Sequence, residues 1–164
     1  MMMNDAGPAS QRLSPGEAAL WLLQQVAPGQ GIANLGMRIQ LPAPVRWWPL
    51  HETMSWIMAR HTALRSCFPA WEGLPTRVVR PLEEIDFAID VLDAGPDDLD
   101  EALREYAARP FDLGRAPLLR LGLSQGESRP PVLCLVLHHL ICDGAGLGVL
   151  FSEIEQGYAA FSRT

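Results

Sequence analysis

Two adjacent histidines, His138 and His139, are followed closely by Cys142, Asp143 and Gly144. With an unperturbed pKa of about 6.5, histidine is the side chain best suited to moving protons at neutral pH. Asp143 lies four residues beyond His139, so across a loop it can approach the imidazole or face away into an ion pair. It can equally cap a following helix, because aspartate is a favoured N-cap and the pattern after Gly144 is helical. Gly144 tolerates a positive φ or close approach by a substrate. Cys142 brings a thiol into the loop, but neither a C-x-x-C motif nor a base at fixed spacing accompanies it to make a nucleophile. Adjacent histidines on an extended strand point to opposite faces, which argues against joint chelation of one metal ion. Spacing alone leaves two readings open: proton transfer at His139, or a structural turn closed by Asp143.

The elements around this loop must position it. Pro131 to Leu137 is a short Val/Leu-rich run after a Pro/Gly/Ser turn cluster at Gly126 to Pro131, which reads as a buried strand. After Gly144, Leu147, Leu150, Phe151, Ile154, Tyr158 and Phe161 recur at three- and four-residue steps, one face of an amphipathic helix. The histidines therefore sit at the mouth of a strand–loop–helix unit, where α/β folds commonly carry their chemistry.

Upstream, Ser14-Pro15-Gly16-Glu17 is a helix opening with a cap, a proline at the first helical position and a capping-box glutamate. That helix carries Leu20, Trp21 and Leu23 and stops at Pro28-Gly29, and Ile32 to Leu41 follows as a strand. From Val45 to about Leu64 the stripe Leu50, Met54, Ile57, Met58, His61 and Leu64 predicts a second helix. Trp47 and Trp48 at its start are expected to pack on neighbours rather than stand free as an anchor. His51 reads as surface, His61 as part of the stripe and Arg60 as a surface cation. Thr76 to Val79 and Ile85 to Val91 look like two strands of a hairpin around Pro81. Asp97 to Ala108 is a third helix, with Leu99, Leu103 and Tyr106 inward, and Leu118 to Leu123 is a strand leading to the turn before the histidines. The resulting order, α-β-α-β-β-α-β-β-α, predicts an α/β sandwich with helices covering a mixed sheet.

Composition limits the possibilities. A chain of 164 residues, 48% apolar and 20% charged, is long enough for one packed domain and too apolar for a disordered one. Its apolar runs fall far short of the ~20 residues of a membrane helix, and Met1 to Gln11 lacks a signal-peptide pattern. Residues 1–12 are expected to be a disordered leader. A net charge of −6 without a Lys/Arg cluster argues against nucleic acid and acidic membranes. Cys67, Cys134 and Cys142 lack metal spacing and read as reduced thiols, which places the protein in the cytoplasm.

Four segments, in order, carry a family resemblance. His138-His139-Leu140-Ile141-Cys142-Asp143-Gly144 matches the HHxxxDG signature of condensation domains of nonribosomal peptide synthetases. Leu13-Ser14-Pro15 with Leu20-Trp21-Leu22 resembles the family's opening LSxxQxxLWxL, with Glu17 in place of the glutamine. Arg60 to Phe68 is similar to RHxxLRTxF, with Ser66 for threonine. Pro110-Phe111-Asp112-Leu113 and Pro117-Leu118-Leu119-Arg120 resemble PFDL and PLLR. Where many members carry an aromatic and a serine after the aspartate–glycine pair, this chain has Ala145 and Gly146, which would widen a channel or mark a member closer to free-standing acyltransferases.

The resemblance implies a chloramphenicol-acetyltransferase-like lobe over residues 13–164, one of two that form a V, with the C-terminal lobe missing. It implies attack of an acceptor amine on a donor thioester, both presented on phosphopantetheine arms of peptidyl carrier proteins (or, for the donor, on CoA), with no cofactor held by the lobe itself. His139 would be the base or orient the amine, and His138 would pack inward or fix the loop. Asp143 would form a loop-holding ion pair with Arg65, and Gly144 would leave room for the arm. The alternatives are the first lobe of a free-standing acyltransferase making an ester or amide, and a non-catalytic lobe that docks a carrier protein. A lobe lacking its partner would expose a cleft face and be prone to self-association.

Overall fold

The computed structural model describes residues 10–42, 44–95, 97–126 and 129–163. Strand β1, Ser10–Arg12, pairs antiparallel with residues Val78, Arg77 and Thr76. This corrects the expected leader, whose residues 1–9 lie outside the described residues. Three polar residues join a sheet edge through their main chain, which needs no apolar side chain to do so. Helix α1, Pro15–Val26, starts as its sequence dictates. The Ser14 amide donates to Glu17 Oε2 at 2.7 Å, and the Glu17 amide donates back to Ser14 Oγ at 3.3 Å.

Strand β2 is Asn34–Gln40, and helix α2 is Trp47–Arg60. The apolar stripe that runs on to Leu64 does not extend the helix. His61 turns the chain out with φ −107° and ψ 104°, and Thr62–Arg65 form a 3-10 turn that buries Leu64 from a different direction. Trp47 and Trp48 remain 43% and 55% exposed, although Trp48 sets its edge against Phe161.

Strands β3 (Ser66–Cys67), β4 (Ala70–Trp71) and β5 (Leu74–Val79) follow, then β6 (Ile89–Val91), α3 (Leu99–Ala108), β7 (Leu119–Gly126), β8 (Arg129–His138) and α4 (Gly144–Phe161). The hairpin expected around Pro81 does not form. Strand β5 pairs with β1, β3 and β4, whereas β6 runs parallel to β7 in another sheet. Partner choice is non-local here, and a proline between two β-prone segments does not reveal it.

The larger sheet has the order β2-β8-β7-β6 and is mixed, as expected, with the β6–β7 pair its parallel part. Both faces are covered. Leu133, Leu135 and Leu137 of β8 join Leu119, Leu121 and Leu123 of β7 on the α2/α4 side. Val132, Cys134 and Val136 face Leu99, Leu103 and Tyr106 of α3. A strand buried on both faces reads as a continuous apolar run, which is what Pro131 to Leu137 is. Each of the three inward leucines of β8 is at most 2% exposed, and burying one contributes about 1.5–3 kcal/mol.

Candidate active site

The alternation of β8 turns His138 toward the α3 side, where it is fully buried. Its amide donates to Leu118 O at 3.0 Å. The His139 amide donates to Ala33 O at 2.8 Å, so the next backbone unit is also held in the ladder. The chain then reverses: the Ile141 amide donates to His138 O at 3.0 Å, and the Leu140 amide donates to His138 Nδ1 at 3.2 Å. Leu140 and Ile141 are 7% and 8% exposed and anchor the turn from below. The His139 side chain is left at the surface of this pinned loop.

Accepting at Nδ1 places the proton of neutral His138 on Nε2. Burial, and to a lesser degree neighbouring His139, push its pKa down to about 4. His138 is therefore a buried, neutral side chain at physiological pH. The ring of Phe111 stands perpendicular to it at 6.3 Å, and the Arg120 guanidinium lies 4.2 Å above Phe111.

The four family-like segments are in physical contact. Trp21 Nε1 donates to Phe68 O at 3.2 Å, joining the first segment to the second. The Phe68 amide donates to Leu113 O at 2.6 Å, joining the second to the third. Phe111 and Arg120 then complete the path to His138. Glu17, standing where the family pattern has glutamine, closes the capping box and lies 3.7 Å from Arg77 Nη1.

Asp143 is exposed, and its Oδ1 accepts the Gly146 amide at 2.8 Å as the N-cap of α4. Arg65 lies elsewhere. Its Nε donates to Met58 O at 2.8 Å and its Nη1 to Arg80 O, tying the end of α2 to β5. Among the described residues no ion pair joins Arg65 to Asp143, so the implied pair is replaced by two separate structural roles. Gly144 opens α4 without a positive φ, and a Cβ added there would meet open space. At Gly146, by contrast, a Cβ would come within 3.0 Å of Cys142 Sγ and 3.4 Å of Asp143 Oδ1. The small residue that departs from the family pattern is thus used to pack the loop against its helix.

Cys142 is half-buried, and burial followed by the nearby Asp143 carboxylate raises its thiol pKa. A raised pKa disfavours the thiolate that a nucleophile needs. Beneath the loop lies a cavity of about 290 Å³ lined by His61, Leu64, Ile141, Cys142, Gly146 and Leu150, among others. Among the described residues no group of three or more His, Cys, Asp or Glu is placed to hold a metal ion. Nor is any described helix long and apolar enough to cross a membrane. Sequence reasoning missed Glu153, whose carboxylate meets both Arg60 and His61. Its i, i+3 relation to the apolar stripe of α4 hid a half-buried charge among hydrophobic neighbours.

The family model for the condensation domain matches residues 10–163. The chain belongs to the condensation-domain family. Among curated proteins, this condensation-domain sequence is 31% identical over 155 residues to the nonribosomal peptide synthetase kk1B of Curvularia clavata, covering 94% of the chain and 1% of that synthetase. It is 33% identical over 149 residues to tyrocidine synthase 3 of Brevibacillus parabrevis, covering 88% of the chain and 2% of that protein. Among solved structures, the starter condensation domain of the rhizomide synthetase RzmA superposes with a TM-score of 0.81 at 19% identity, covering 94% of this chain and 38% of that one. The four-domain nonribosomal peptide synthetase holo-AB3403, bound to AMP and glycine, gives 0.77 at 19% identity, with 94% and 12% covered. The chain thus spans a small fraction of its curated relatives and 38% of a solved condensation domain, with the α/β sandwich in common.

Proposed function

We propose that the chain is the N-terminal, histidine-bearing lobe of a condensation domain, and that His139 serves the formation of an amide bond. The observation that carries this reading is the division between the two motif histidines. His138 is buried and neutral, while His139 is exposed on a backbone pinned from both sides. In the reaction, an acceptor amine attacks the carbonyl carbon of a donor thioester. The C–N bond forms, the C–S bond breaks, and the amine proton passes by way of the His139 ring to the leaving sulfur. An α-amine with a pKa of about 8 needs only modest help to lose its proton, so orientation of the nucleophile contributes alongside base catalysis.

In this reading donor and acceptor arrive on phosphopantetheine arms of peptidyl carrier proteins, or the donor arrives as an acyl-CoA, and the lobe itself holds no cofactor. A mutant of the RzmA starter condensation domain crystallised in complex with C8-CoA and Leu-SNAC, with a TM-score of 0.81 and 18% identity to this chain, supports that pairing of a thioester with an amine. The open space beside Gly144 supports passage of an arm. A second lobe supplies the opposing wall of the cleft, and without it the open face favours self-association. The three unpaired thiols support a cytoplasmic setting.

The test is amide formation from an acyl-pantetheine thioester and an aminoacyl-pantetheine acceptor by the complete polypeptide that carries this sequence. His139→Ala is expected to lower turnover by about 10²–10⁴-fold without changing the fold. Undiminished turnover in that variant overturns the reading. The 164 residues alone are expected to give no His139-dependent product, because water reaches an open half-cleft. Ester as the sole product would indicate an acyltransferase of different acceptor class, and carrier binding without turnover would indicate a docking lobe.

A further inference from the structure

Helices α2 and α4 run antiparallel, and a series of contacts fixes one against the other. At the end remote from the histidine loop, the Arg46 amide donates to the Tyr158 hydroxyl at 3.0 Å and Trp48 meets Phe161 edge-on. In the middle, Thr53 packs directly against Gly157. Nearest the loop, Glu153 receives a guanidinium and an imidazole from the corner where α2 ends. His61 Nε2 lies 2.5 Å from its Oε2, and Arg60 Nε lies 3.1 Å from its Oε1. The Glu153 side chain is only 14% exposed, so both of its oxygens are engaged in a largely dry setting.

What lies beyond that point gives the contact its significance. From Gly144 to Ser152, no side-chain hydrogen bond among the described residues reaches another element. The first turns of α4 are held by apolar packing, with Leu147, Leu150 and Phe151 against the main core, beside the cavity lined by Leu64 and Ile141. Glu153 is therefore the last polar attachment of α4 before the loop, nine residues from the helix start, or about 13 Å along the axis. Apolar contacts resist separation of two helices but define their axial sliding weakly, since they are non-directional. A carboxylate gripped through both oxygens has a defined direction. Arg60 is 61% exposed, so its ion pair adds little stability of its own. Its effect is geometric. The same Arg60–His61 pair belongs to a family-like segment, and His61 also lines the cavity beneath the histidine loop.

We propose that Glu153, held by Arg60 and His61, is a positioning residue for His139: it fixes the axial position of α4 and, through the Asp143 cap, the loop that presents the imidazole. This rests on the role proposed above for His139. Glu153 touches no reacting atom in this arrangement. Its loss lets the start of α4, and with it the loop, shift by a fraction of a helical turn.

The experiment compares Glu153→Ala and Glu153→Gln with wild type in the complete polypeptide, using the same thioester and amine pair. Glu153→Ala is expected to lower kcat about 10- to 100-fold with both KM values little changed, as a displaced catalytic group does. Glu153→Gln keeps an oxygen for the His61 Nε2–H and is expected to recover most of that loss. Arg60→Ala added to Glu153→Ala should cost nothing further, because the two act as one unit. Unchanged kcat in Glu153→Ala, or a loss confined to KM, overturns the proposal. A second readout separates this idea from the role of His139. In amide NMR spectra of the chain, Glu153→Ala should move the resonances of His139 to Gly146 and leave those of β5 in place. If wild type gives no His139-dependent product, the catalytic reading falls and these shifts alone decide the clamp. Resonances that stay in place sink it.

Discussion

Asp143 Oδ1 accepts the Gly146 amide at 2.8 Å, and that bond takes the place of the ion pair to Arg65 that the resemblance implied. The two arrangements differ in cost. Removing an exposed N-cap destabilises by about 1 kcal/mol, whereas breaking a buried ion pair costs roughly 3–5 kcal/mol. Asp143→Ala is therefore expected to lower stability in urea unfolding by about 1 kcal/mol, and Asp143→Asn or Asp143→Ser by less, since both can still cap. A loss of several kcal/mol in Asp143→Ala would show a buried partner after all.

His138 makes stability depend on pH. Folding lowers its pKa from 6.5 to about 4, chiefly by burial. Between those values the unfolded chain binds a proton that the native chain excludes. The contribution is therefore complete above about pH 6.5 and is lost as pH falls toward 4, by on the order of 3 kcal/mol. His138→Asn places an oxygen close to the position of Nδ1, keeps an acceptor for the Leu140 amide and removes the titration. Its stability, measured by denaturant unfolding across that range, should fall less steeply than that of wild type. Parallel slopes would mean that His138 is not the group responsible.

The parts of the fold that could be read in advance are those specified locally. Ser14, Pro15 and Glu17 specify a helix start within four residues, and the caps and bonds observed are the expected ones. The buried run of β8 and the stripe of α4 announce themselves by period, and the loop between them follows. What was illegible depends on distant partners. Ser10–Arg12 carry no strand signal of their own and become a strand because β5 offers an edge. Thr76–Val79 and Ile89–Val91 have strand character but go to different sheets. His61 ends α2 without a glycine or proline to mark the stop, because the 3-10 turn continues the burial of Leu64. At the site, the inward histidine follows from strand alternation. The Arg65–Asp143 pair came from analogy alone, and the local N-cap propensity of aspartate was the better guide. Glu153 could not have been found by spacing, since its partners lie 92 and 93 positions earlier in the chain.

The α2–α4 contact supplies a prediction in which two errors should cancel. A Cβ added at Gly157 would lie 2.8 Å from Thr53 Cγ2, closer than side chains tolerate, and Thr53 is fully buried. Gly157 sits inside α4, where alanine would otherwise favour the helix by about 1 kcal/mol. The clash should outweigh that gain, since overpacking a tight contact costs about 1–3 kcal/mol. Gly157→Ala alone is thus expected to destabilise or at best break even. The obstacle is a single methyl group. Thr53→Ser removes Cγ2 and retains the Oγ1 hydroxyl, which donates to Pro49 O at 2.6 Å. An alanine Cβ would stand 3.4 Å from that oxygen, ordinary contact distance. The double variant should therefore recover stability beyond the sum of its two single changes, with a coupling of about 1 kcal/mol or more in the double-mutant cycle. Denaturant midpoints of the four proteins measure it. Strict additivity would mean that the helices separate to admit the methyl group, and that the close approach at Gly157 does not set their spacing.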